Sequence, residues 1–72
     1  MIEVFKTNIA KKQEAEIIEN ELLKILPGAV VNFDLEDFDR VLRVESVHQN
    51  FEARDVITLV AKMGFECKVL TD

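Results

Sequence analysis

Along this chain the spacing of apolar residues switches between two and about three and a half, in an order that leaves few folds open. Ile2 and Val4 alternate with Glu3 and Phe5, which predicts a short strand ending near Lys6. Ala15, Ile18, Leu22 and Ile25 then recur at helical spacing, with Glu16, Asn20 and Lys24 on the wet side. The predicted helix runs over 10–26, capped by Asn8 and stopped by Pro27 and Gly28. Segments 29–35 and 40–46 alternate again. A second helix is predicted over 51–63, with Asn50 as its cap and Ala53, Val56, Val60 and Met63 as its inner stripe, flanked by Ile57 and Leu59. Lys62 suits the negative end of that helix, and Gly64 the left-handed position that ends it. Phe65, Cys67 and Val69 alternate with Glu66, Lys68 and Leu70 in a last strand.

A turn over Glu36–Asp39 makes the two middle strands a hairpin in which Phe33 faces Leu42 and Val31 faces Val44. Those apolar pairs share one side of the sheet, while Asp34/Val41 and Asn32/Arg43 share the other; a slip of one residue would destroy that agreement. The element order β-α-β-β-α-β is the split arrangement of ferredoxin-like sandwiches. Right-handed crossovers then give an α+β fold with an antiparallel four-stranded sheet in the order 4-1-3-2 and both helices on one face. In this topology the Thr7–Glu14 stretch, the Glu36–Asp39 turn and the Gly64–Phe65 connection meet at one end. The loop holding His48 lies at the other.

Seventy-two residues make a single domain, 1–72, and apolar residues at 49% suffice for one modest core. A net charge of −5 argues against a nucleic-acid binder, and without Trp or Tyr a base-stacking platform would rest on five Phe. The lone Cys67 rules out an internal disulfide or a thiolate pair within one chain. No apolar run approaches the ~20 residues that span a bilayer. Met1 leads directly into the strand pattern without a basic stretch and apolar run, so a reducing, cytoplasmic setting is expected.

The layout resembles the heavy-metal-associated domain family of copper chaperones and metal-pumping ATPases, over nearly the whole chain. The resemblance rests on Ile2 and Val4 before the first loop, on Ile9 where the family has a buried Met, and on Ile18 and Leu22 in the first helix. Leu26-Pro27-Gly28 at that helix's end and Val60 with Gly64-Phe65 before the last strand complete it. The family's specific motif is Cys-x-x-Cys just after the buried apolar residue. Counted from Ile9, its two positions fall on Lys11 and Glu14; counted back from Pro27, on Lys12 and Ala15. Neither count supplies a thiolate, and an ammonium there repels a cation, whereas Cu(I) and Zn(II) in such sites need sulfur. The resemblance therefore implies the fold, while the metal chemistry is not expected to follow. No cofactor, metal site or catalytic residue is predicted.

Other constellations have ordinary readings. Lys11 and Lys12, in the first turn of a helix, could form an anion-attracting lip or simply surface charge neutralised by Glu14, Glu16 or the acidic turn; surface charge is expected. Asp34, Glu36, Asp37 and Asp39 lack the glycine and terminal glutamate of a calcium loop, and aspartate favours turns. Cys67 falls on the inward side of its strand and reads as a buried structural thiol. His48 reads as an exposed loop residue at the opposite end from Cys67.

The helix-free sheet face is the candidate interaction surface. Strand parity is expected to place Phe5, Val41 and Leu70 there, with Val30 on the outer strand, among Glu3, Arg43, Glu45, Glu66 and Lys68. An apolar centre with a charged rim suits contact with a second copy or another protein. The expected function is thus a small noncatalytic interaction or regulatory domain, working through protein contacts and not through nucleic acid, membrane or soft metal. Alternatives are a metal binder with non-thiolate ligands, a small-ligand sensor, and an acylphosphatase-like enzyme. The last needs a glycine-rich first loop with an arginine, and this loop has neither.

Overall fold

The computed structural model describes residues 1–71. It contains β1 (Ile2–Thr7), α1 (Lys12–Ile25), β2 (Val30–Asp34), β3 (Val41–Glu45), α2 (Ala53–Lys62) and β4 (Cys67–Val69), an α+β arrangement in the predicted order. The four strands form one antiparallel sheet, β2-β3-β1-β4, which is the predicted order read from the other edge. The hairpin register is as the sequence requires: Val31 opposes Val44, Phe33 opposes Leu42, and Asp34 opposes Val41.

One core joins the helices to one side of the sheet. Ile18 and Leu22 of α1 and Val56 and Val60 of α2 are buried with Phe5, Val31, Leu42 and Val44. On α1 the buried stripe runs through Ala15, Ile18 and Leu22 and then passes to Leu26; Ile25, expected inside, is 44% exposed. Ile25 is the last residue of the helix, and the C-cap Leu26 follows Leu22 at the favourable spacing of four.

The helix starts differ from expectation. The first begins at Lys12, after an extended Lys11 whose N–H donates to Glu14 Oε1 at 3.1 Å. Asn8 does not cap it; its Oδ1 accepts the Glu66 N–H at 2.8 Å and ties the first loop to the approach to β4. The second begins at Ala53, with the Glu52 N–H donating to Asp55 Oδ2 at 3.2 Å, so Asn50 is not its cap either. Phe51, just before the N-cap, and Val56 at the fourth helical position are both buried, the positions of a hydrophobic staple. Burial of Phe51 sets the start of α2, leaving Asn50 exposed outside it.

Both glycines act as expected. Gly64 has φ +94, with its N–H on Ala61 O at 3.0 Å and the Phe65 N–H on Val60 O at 3.2 Å. This 6→1 and 5→2 pair satisfies the carbonyls at the end of α2. Gly28 (φ +83) follows Pro27 in a turn closed by the Ala29 N–H on Leu26 O at 3.1 Å, the residue pattern of a type II turn.

Two phenylalanines with opposite environments test this packing. Phe5, fully buried, should cost about 3–5 kcal/mol on truncation to Ala, enough to unfold much of so small a domain. Phe38, 91% exposed, should change stability by less than about 0.5 kcal/mol when truncated. Urea midpoints of Phe5→Ala and Phe38→Ala check both; equal losses would refute the assignment of the sheet faces.

Candidate interaction surface

The pairing of β1 decides which residues line the helix-free face. Phe5 opposes Leu42 and Glu3 opposes Val44, both of which face the helices. Neighbours directly across a sheet share a face, so Glu3, Phe5 and Thr7 point toward the helices and Ile2, Val4 and Lys6 away from them. Phe5 is therefore a core residue and not part of the candidate surface, and Glu3 leaves that surface with it. The Phe5 ring offers more apolar area at the centre of the sheet than Val4 does, and burial there outweighs keeping Glu3 in solvent at the strand's start.

Three rows of side chains make up the open face. One holds Val30, Glu45 and Ile2; the next Asn32, Arg43, Val4 and Leu70; the third Asp34, Val41, Lys6 and Lys68. The predicted Val30, Val41, Arg43 and Leu70 lie here. Val30 and Arg43 are exposed, and Val41 and Leu70 half-buried. The sequence reading missed Ile2, which is 54% exposed, and Val4. Lys6 carried the signal, since it shares their parity and a lysine seldom continues a buried row, whereas a hydroxyl at position 7 can be satisfied inside.

That hydroxyl organises the end of the molecule where the three loops meet. Thr7 is buried; its Oγ1 donates to Arg40 O at 2.7 Å and accepts the Ile9 N–H at 3.1 Å, while its own N–H donates to Asp39 O at 3.1 Å. The acidic turn is tied internally. Asp34 Oδ1 accepts the Asp37 N–H at 3.2 Å, and Asp37 Oδ1 accepts the Asp39 N–H at 2.8 Å. Arg40, at φ +47, reaches back so that Nη1 donates to Leu35 O at 2.8 Å. Its left-handed backbone takes Leu35 and Arg40 out of the ladder, so each hairpin strand is shorter than predicted although the register is unchanged.

The ion pair of this turn joins Asp39 to Lys6 at 3.4 Å; among the described residues none forms to Lys11 or Lys12, the partners expected from the sequence. Phe38 projects from the turn with the Lys6 ammonium 5.8 Å from its ring centre. Where the resemblance would place metal ligands, Lys11 and Lys12 are exposed, the Glu14 carboxylate holds the helix start and Ala15 is buried. Among the described residues, no three His, Cys, Asp or Glu side chains gather where they could hold a metal ion, and no helix is long and apolar enough to cross a membrane. His48 is exposed in its loop.

Cys67 opposes Thr7 on the helix side of the edge strand and packs against the core, but only half-buried where full burial was expected, because β4 is short and has no outer neighbour. Partial burial pushes its thiol from the ordinary 9.0 up to about 11. No protein-family model, curated protein or solved structure matches the chain.

The raised thiol has a signed consequence. The folded state holds this proton more tightly than the unfolded chain, so the associated stability is complete below about pH 9 and is lost as pH rises through about 11. Urea midpoints should fall over that window, and fall less in Cys67→Ala. Alkylation by iodoacetamide at neutral pH should be slower in the native protein than in urea. A native thiol reacting as fast as the unfolded one would contradict this placement.

Proposed function

We propose that this chain is a noncatalytic interaction or regulatory domain, ferredoxin-like in architecture and similar to metallochaperone domains but without their soft-metal chemistry. The observation that carries the reading is the open sheet face, on which Ile2, Val4, Val30, Val41 and Leu70 expose apolar surface among charged side chains. The apolar centre with a charged rim expected from the sequence is not the arrangement found: Arg43, Glu45 and Lys6 stand on the inner strands, and Val30 and Leu70 at the edges. Apolar side chains exposed among charged ones on one face still favour contact with another macromolecule over solvent.

The loop supports the same reading from the other side. Its carboxylate, carboxamide and hydroxyl groups serve the fold: Glu14 caps α1, Asn8 holds the approach to β4, and Thr7 bridges to the hairpin. The lysines that remain free of such work would repel a cation. Nucleophilic chemistry at Cys67 is disfavoured by its raised pKa, since the thiolate is the reactive form.

Titration with Zn(II) and with Cu(I) under reducing conditions, followed by amide NMR shifts, tests the reading. Lys11 to Glu14 and Cys67 should show no saturating, stoichiometric change. Saturation at one equivalent in that loop would replace the interaction-domain reading with metal carriage through non-thiolate ligands.

A further inference from the structure

The open face is nearly balanced in charge, although the chain as a whole is not. Its strand residues set Lys6, Arg43 and Lys68 against Asp34 and Glu45, while the whole chain carries −5. The surplus acid therefore lies on α1, in the hairpin turn, in the loops and at Glu3 on the helix side of β1. A mixed, near-neutral surface offers little to a polyanion or a strongly basic partner, and it does not repel its own copy.

The distribution of charge across one row adds geometry. From the β2 edge to the β4 edge it reads Asp34, Val41, Lys6, Lys68, with acid at one edge and base at the other. Stacked sheets pack ~10 Å apart with strands within about 30° of each other. A twofold axis between two such faces, parallel to the strands, exchanges the edges and keeps each row at its height. Asp34 of one copy then lies over Lys68 of the other, and the symmetry repeats the pair. In the neighbouring row the same operation sets Val4 against the aliphatic stem of Arg43.

We propose that the open face binds a second copy of this chain, face to face about this axis. The proposal rests on the interaction-domain reading and names its partner. Three rows across four strands cover roughly 400 Å² of footprint, small beside the ~800 Å² per partner of a standard interface. The dimer is accordingly weak, with a dissociation constant on the order of 100 μM.

Sedimentation equilibrium at about 0.15 M salt, from about 10 μM to about 1 mM, tests it. The wild type should show a monomer–dimer equilibrium, and Val4→Glu should weaken it by at least about tenfold. Lys68→Glu should weaken it by about threefold or more, and adding Asp34→Asn, which keeps the oxygen that accepts the Asp37 N–H, should recover part of that loss. Within one chain these two residues stand three strands apart, ~14 Å, so their coupling reports contact between copies. If circular dichroism shows Val4→Glu to be unfolded, the Lys68–Asp34 cycle decides alone. A monomer throughout the range, or a dimer indifferent to these substitutions, overturns the second-copy assignment. A monomer leaves the interaction-domain reading standing with a different protein as partner, whereas stoichiometric metal binding at Lys11 to Glu14 would overturn that reading in either oligomeric state.

Discussion

Phe5 set against Leu42 is the contact on which the rest of this structure depends. The row Phe33, Leu42, Phe5 and Val69 crosses all four strands, and its two central members are fully buried beneath the helices. A strand has only two sides, so placing Phe5 inside sends Ile2, Val4 and Lys6 outside together. One packing decision thus fixes the core and the composition of the opposite face. The ring is among the largest fully buried side chains, and the buried hydrophobic residues described form a single cluster with it.

Thr7 couples that sheet to the loops. Two residues beyond Phe5 on the same side, it joins the first loop and the hairpin turn through both its hydroxyl and its N–H. Asn8 adds the connection before β4. Three loops are therefore held together by hydrogen bonds at this end of the molecule. Asp34 and Asp37, which in isolation suggest a hard-cation site, serve as acceptors for the backbone of their own turn. The polar groups here maintain a shape, while Ile2 and Val30 expose apolar surface on the open sheet face.

How legible these features were in the sequence depended on how local their determinants are. The hairpin register could be read because Val31/Val44 and Phe33/Leu42 must share a face across a short connection. The Gly64 terminus could be read because few residues but glycine take a left-handed backbone at small cost. The caps could not. Asn8 and Asn50 have suitable chemistry, but Asn8 is drawn to the Glu66 N–H from across the fold, and burial of Phe51 moves the start of α2 past Asn50. The face of β1 was read inversely because Ile2/Val4/Lys6 and Glu3/Phe5/Thr7 each mix apolar and polar members, so its alternation names no inside.

By itself the sequence determined the order and type of the elements, the hairpin pairing, the helix terminus at Gly64 and the lack of thiolates in the first loop. Each of these follows from residues near one another in the chain or from composition alone. Only the tertiary structure decided that Phe5 is core and Val4 surface, that Lys6 and not Lys11 meets the acidic turn, and that Leu26 replaces Ile25 inside. These outcomes are set between elements distant in sequence: β1 against β3, and α1 against the sheet. There the competing arrangements differ in which apolar area is buried, a quantity that local pattern does not contain.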